Sequence, residues 1–132
     1  MRVLVCGDRN WHNYEFIYEI LSNYKDEIDV VIEGEAKGAD SMAGLAAELL
    51  GIPVLKFPAD WDRYGRAAGP IRNTQMLNEG NPDLVIAFHN DVTQSKGTKN
   101  MIEQAKTRYI TVKLYSEKGL LYEYKQAQLP IF

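Results

Sequence analysis

Short apolar runs alternate with stretches in which apolar residues return every third or fourth position. Arg2-Val3-Leu4-Val5-Cys6 is a short run, apolar after its arginine and rich in branched side chains, as a strand covered on both faces requires. Val30-Val31-Ile32, Ile52-Pro53-Val54-Leu55-Lys56-Phe57, Asp83-Leu84-Val85-Ile86-Ala87-Phe88 and Tyr109-Ile110-Thr111-Val112 read as four further strands. Pro53 falls near the start of its run, where a strand tolerates the missing N–H. Between the strands the period is helical. Tyr14, Ile17, Ile20 and Leu21 share one face, as do Met42, Ala43, Ala46, Leu49 and Leu50, with Gly51 at the C-terminal cap. A third helix is expected from Pro70 through Arg72, Met76 and Leu77 to Gly80, and a fourth through Met101, Ile102 and Ala105.

This β-α-β-α-β-α-β-α-β alternation predicts an α/β fold: a single Rossmann-like domain with a parallel five-stranded sheet and helices on both faces. One domain is expected over residues 1–132, with a core at 1–113 and a C-terminal extension at 114–132. The extension breaks the rhythm but carries Tyr115, Leu120, Leu121, Tyr122, Tyr124 and Leu129-Pro130-Ile131-Phe132. Such apolar content is expected to pack against the sheet edge or a second copy, so a homodimer is expected.

In a parallel sheet the loops leaving the strands gather along one edge, where ligands bind. Those loops hold Gly7-Asp8-Arg9-Asn10-Trp11, Gly34-Glu35-Ala36-Lys37-Gly38-Ala39-Asp40, Asp60-Trp61-Asp62-Arg63-Tyr64-Gly65-Arg66 and Ser95-Lys96-Gly97-Thr98. The connection over residues 58–70 is long for so small a domain, which favours a functional loop. Net charge is −3, which speaks against general nucleic-acid binding. Yet Arg9, Lys37, Arg63, Arg66, Arg72, Lys96 and Lys99 all lie in or beside these loops or helix starts. An acidic chain with its cations gathered there suits a small anion, although polar loops are also simply exposed loops.

Glycine at a strand-to-helix turn lets the backbone approach a ligand, and the helix N-terminus supplies free N–H donors. Gly34-x-x-x-Gly38-Ala39-Asp40 and Gly97-Thr98 meet that requirement, but neither is a Walker A loop or a G-x-G-x-x-G fingerprint, and no cofactor is expected. Backbone donors at Gly34, Gly38, Gly97 and Thr98, with Arg9, Lys37, Arg72 and Lys96, are expected to hold phosphate. Arg72 offers a planar donor fork beside Asn73, or else pairs with Asp60 or Asp62. Asp8 or Asp40 would meet ribose hydroxyls, Asp40 alternatively steadying its own helix N-terminus. Trp61 would meet a base, or, like Tyr64, anchor its loop. If the protein is an enzyme, Arg72 with Asp8, Glu33 or Asp60 are the candidates for catalysis.

Cys6, the lone cysteine, closes an apolar run and reads as a buried inert thiol; it excludes an internal disulfide. His12 and His89 show no metal-ligand spacing, so no metal is expected. No apolar stretch approaches membrane-spanning length, and a cytoplasmic protein free of membrane contact is expected.

Gly7-Asp8-Arg9, Gly34-x-Ala36-x-Gly38-Ala39-Asp40, Asp60-Trp61, Ala68-Gly69-Pro70-Ile71-Arg72-Asn73 and Gly97-Thr98, in this order, resemble the YspA-like branch of the SLOG superfamily, over roughly residues 1–113. The resemblance implies a compact Rossmann-like fold. It also implies kinship with LOG nucleotide phosphoribohydrolases, DprA recombination mediators and sensors of nucleotides derived from NAD or ADP-ribose. YspA-like members come from bacteria and their phages. Arg72-x-x-x-Met76 aligns with the catalytic arginine of LOG enzymes, but Met101 stands where their catalytic glutamate would be, and Glu103 lies on another face of its helix. Glu35 replaces a glycine common in relatives. The expected function is therefore binding of a nucleotide or nucleotide sugar, as a sensor or sequestering protein. The alternatives are nucleotide N-glycosidic hydrolysis and a dimeric interaction protein without a small ligand. Nucleic acid is not an expected partner.

Overall fold

A computed structural model describes residues 1–125. It holds one six-stranded sheet in the order β3-β2-β1-β4-β5-β6. The strands are β1 (Arg2–Gly7), β2 (Val30–Glu33), β3 (Val54–Lys56), β4 (Leu84–Phe88), β5 (Thr111–Ser116) and β6 (Gly119–Tyr124). The first five run parallel and β6 returns antiparallel to β5. The helices are α1 (Tyr14–Asn23), α2 (Ala39–Leu49), α3 (Trp61–Tyr64), α4 (Ala68–Gly80) and α5 (Lys96–Thr107).

Alternation along the buried strands sorts the core into two layers. Val3, Val5, Val31, Ile86 and Phe88 meet Ile17 and Leu21 of α1 and Ala43, Ala46 and Ala47 of α2. Leu4, Cys6, Ile32, Val85 and Ala87 meet Met76 and Leu77 of α4 and Met101 and Ala105 of α5. Both faces are covered, as continuous apolar strands demand. Cys6 is buried, and burial raises its thiol pKa, so the inert reading holds.

Three expectations change. The sheet has six strands rather than five, because the expected extension supplies the end of β5 and all of β6. Tyr109, expected to open the fifth strand, sits at φ +57 in the turn before it. Residues 58–70 are not one long loop: Asp60 Oδ1 accepts from the Arg63 N–H at 3.1 Å and starts α3. A 3-10 turn (Gly65–Ala67) leads directly into α4 at Ala68, ahead of Pro70. Leu129, Pro130, Ile131 and Phe132 lie outside the described residues. No helix among those described is long and apolar enough to cross a membrane.

Candidate functional site

The chain leaves β1 toward β2 and β3, then returns past β1 to β4. The order reverses between β1 and β4, and the crevice outside their carboxyl ends is where such sheets take ligands. Asp8 follows β1 and His89 follows β4, side by side. The Asp8 N–H donates to the Phe88 carbonyl at 2.8 Å, and Asp8 Oδ1 lies 3.9 Å from His89 Nε2. Nδ1 of the buried His89 accepts from the Asp91 N–H at 2.9 Å, so in the neutral ring the proton belongs on Nε2, facing Asp8. Asp8 Oδ1 also accepts from the Asn10 N–H at 2.9 Å. His89 was not a sequence candidate. Its signal is positional: it is the first residue past the central strand on the far side of the reversal.

The loop after β1 is pressed against the N-terminus of α2. Ala39 N–H donates to the Asp8 carbonyl at 3.1 Å. Gly38, at φ +77 and ψ −124, sits so close that a Cβ there would lie 2.3 Å from the Asp8 oxygen and 2.5 Å from the Arg9 oxygen.

The loop after β2 is closed on itself by Asp40. Its Oδ2 accepts from Gly34 N–H at 3.2 Å and Ala36 N–H at 3.4 Å. Burial raises its pKa to about 6, against the opposing pull of Arg72 and those two N–H groups. Arg72, on α4, donates from Nη1 to the Gly34 carbonyl at 2.5 Å and from Nε to Asn73 Oδ1 at 3.2 Å. It forms no ion pair with Asp60 or Asp62 within 4.0 Å, so that alternative is set aside. A Cβ at position 34 would fall 2.2 Å from Arg72 Nη1. Gly34 is therefore glycine to admit a guanidinium. Gly34→Ala is expected to keep the fold, because a flexible side-chain tip yields, while swinging Arg72 out of place. Circular dichroism should stay native while any Arg72-dependent ligand affinity falls about tenfold or more.

Asn73 ties α4 to α5: its Nδ2 donates to the Gly97 carbonyl and to Asn100 Oδ1, both at 3.2 Å. Ser95 Oγ caps α5 by accepting from Thr98 N–H at 3.2 Å.

The contacts thus run unbroken from His89 through Asp8 and Gly38 to Asp40, Gly34, Arg72, Asn73 and Gly97. They link the loops after β1, β2 and β4 with the start of α4; the segment from Asp60 to Arg66 is not part of this chain of contacts. Arg9, Lys37 and Lys96 are exposed beside them and form no ion pair among the described residues. Two expected phosphate donors are already engaged: Gly34 N–H by Asp40 and Thr98 N–H by Ser95. Asp40, with one oxygen on two backbone donors, closes its loop rather than opening toward a ribose. Trp61 is half-exposed on α3, its ring 3.5 Å from where a Cβ of Gly69 would sit. Asp60 caps α3. Glu33 points away from the crevice, into the layer of α2. Met101 is fully buried in the core, and Glu103 is exposed.

Doubly wound strand order, with helices on both faces and the reversal between β1 and β4, defines a Rossmann-like α/β protein. Residues 1–64 match the family described as YspA, cpYpsA-related SLOG. The Gene 61 protein of Mycobacterium phage D29 is 30% identical over 128 residues, spanning 89% of this chain and 98% of that protein. The chain belongs to the YspA, cpYpsA-related SLOG family. DNA processing protein A (DprA) from Streptococcus pneumoniae has a similar structure, with TM-score 0.69 at 19% identity. That similarity covers 87% of this chain but 49% of that protein, so the chain spans about half its length.

Proposed function

We propose that the protein binds a nucleotide or nucleotide sugar, including those derived from NAD or ADP-ribose, in the crevice outside β1 and β4. One observation carries the reading: the unbroken contacts that hold Arg72, Asp8 and His89 along a single sheet edge, with Arg9, Lys37 and Lys96 beside them. Arg72 is fixed through Nε and Nη1, which leaves its Nη2 edge for an anion. Asp8 accepts and His89 Nε2–H donates, a pairing that suits a ribose hydroxyl. Membership of the SLOG family fits a nucleotide-related role. The same reading gives Trp61 the base and the N–H groups of Gly38 and Gly97 the phosphates.

Binding without turnover, as a sensor or sequestering protein, is preferred over N-glycosidic hydrolysis. With Met101 in the core, Asp60 capping a helix and Glu33 facing α2, Asp8 is the one sequence-proposed acid left at the crevice. A hydrolase here would therefore work through Asp8 and His89. A nucleotide ligand also suits the proposed cytoplasmic location. The expected homodimer stays a proposal, with exposed Leu45 and Leu49 of α2 or Leu120 and Leu121 of β6 as contact surfaces.

The test is to incubate the protein with a nucleotide mixture and compare, by mass spectrometry, the ultrafiltrate with material released from denatured protein. Intact nucleotide retained by the protein, and retained about tenfold to a hundredfold less by Arg72→Ala, is the expected result. Free base and sugar phosphate in the filtrate would establish hydrolysis instead. Undiminished retention by the variant would overturn the site.

A further inference from the structure

We propose that Asn73 and Asn100 are positioning residues: they lock Arg72 of α4 to the first turn of α5, so that its guanidinium is oriented before a phosphate arrives. The inference rests on the crevice reading above and adds to it two residues that act through another.

Asn73 is 4% exposed and uses its amide in two directions. Its Oδ1 accepts from Arg72 Nε at 3.2 Å, while its Nδ2 donates to the Gly97 carbonyl and to Asn100 Oδ1, both at 3.2 Å. Arg72 can only donate and the Gly97 carbonyl can only accept, so the amide fits one way round. Aspartate would lack the donor for Gly97, and leucine would lack both functions. Both N–H bonds of Nδ2 are used within the protein, so Asn73 offers no donor to the crevice. Its role is to connect.

The connection continues past Asn73. Asn100 Oδ1 also accepts from Gln104 Nε2 at 2.8 Å, and Gln104 Oε1 accepts from Thr74 Oγ1 at 2.9 Å. Two polar rungs therefore join α4 to α5, one from Asn73 to Asn100 and one from Thr74 to Gln104. They lie beside the apolar contact of Met76 and Leu77 with Met101. Apolar packing holds two helices together without a required direction, whereas hydrogen bonds weaken steeply when misaligned and so fix how the helices stand.

The consequence falls on Arg72. A long side chain that is free in solution loses rotamer freedom when it clamps a ligand. Held at Nε by Asn73 and at Nη1 by the Gly34 carbonyl, Arg72 has lost that freedom on folding, and its Nη2 edge is already aimed. The same amide fixes the Gly97 carbonyl, and with it the turn whose Gly97 N–H is assigned to phosphate above.

The experiment measures retention of ribonucleoside monophosphates and ADP-ribose, with the matching nucleosides alongside. Wild type, Asn73→Leu and Asn100→Ala are compared, and each substitution is repeated on Arg72→Ala. Asn100 is only partly buried and alanine favours a helix, so that variant remains informative if Asn73→Leu fails to fold. Phosphorylated ligands are expected to bind about tenfold more weakly to Asn73→Leu and about threefold more weakly to Asn100→Ala, with nucleosides unaffected. On the Arg72→Ala background each change is expected to cost less than about twofold, because the group it positions is gone. The Arg72 Nε–H resonance, slow to exchange with water in wild type, is expected to exchange faster in both variants. Full losses persisting without Arg72, equal losses for nucleosides, or unchanged Nε–H exchange would overturn the positioning role and leave the crevice reading standing. Undiminished retention by Arg72→Ala, or none by wild type, would overturn both.

Discussion

Gly38→Ala is expected to lower the melting temperature by about 15 °C, which corresponds to roughly 4 kcal/mol for a domain of this size. Two costs add. At φ +77 and ψ −124 the backbone is in a region that residues with a Cβ rarely enter, a strain of about 1–3 kcal/mol. The new methyl also falls 2.3 and 2.5 Å from two main-chain carbonyl oxygens, which cannot swing aside as a side chain can. Relief requires parting the loop after β1 from the start of α2, and with it the Ala39 to Asp8 hydrogen bond. Thermal unfolding followed by circular dichroism measures the loss. A shift below about 3 °C would mean the two loops are not pressed together as described. The contrast with Gly34→Ala is instructive, since there the obstacles are side-chain ends, Arg72 at 2.2 Å and Asp40 Oδ2 at 2.9 Å, and the larger penalty falls on binding instead.

The second large effect is a gain. Glu33→Gln is expected to stabilise the protein at pH 8 by at most about 3 kcal/mol and to make no comparable difference at pH 4. Glu33 keeps its proton up to about pH 7 in the folded chain, against an ordinary glutamate value of 4.5. Below 4.5 the group is protonated folded or unfolded, and no pH-dependent penalty exists. Between 4.5 and 7 the unfolded chain releases the proton while the folded chain holds it, so wild-type stability falls as pH rises; above 7 the penalty is complete. Asp40, raised to about 6, adds a fall of the same sign at slightly lower pH. Urea unfolding of both proteins at pH 4, 6 and 8 checks this, and parallel pH profiles would refute it.

Much of the fold is legible in the chain because two-sided burial leaves a plain mark. β4 is buried from end to end and its run was unmistakable. The fifth strand was placed too early because Tyr109 and Ile110 extend an apolar run that the backbone breaks with a left-handed turn. β6 leaves no such mark, because its apolar residues neither alternate nor bury: Leu120, Leu121 and Tyr122 are all exposed at the sheet edge. At the proposed site, glycines and charges mark loops that the strand order gathers along one sheet edge, but not which polar groups use one another up. The carboxylate of Asp40 turns inward to two N–H groups, and the hydroxyl of Ser95 takes the N–H of Thr98. Such pairings depend on side-chain direction, to which spacing is blind. His89 was hidden for a related reason: a histidine ending an apolar run looks like packing until the strand order puts Asp8 beside it.

The antiparallel return of β6 also bears on how the molecule assembles. Its ladder with β5 joins near neighbours, from Ser116 with Gly119 to Val112 with Tyr124, whereas β1 must find β4 by matching Val3 with Leu84. Hairpins close within microseconds, while pairing across long stretches of chain bears a far larger loop-closure entropy. The sheet is thus quick to form at its margin and slow at its middle. The two strands at the reversal carry the larger closure cost, since pairing Val3 with Leu84 spans most of the chain.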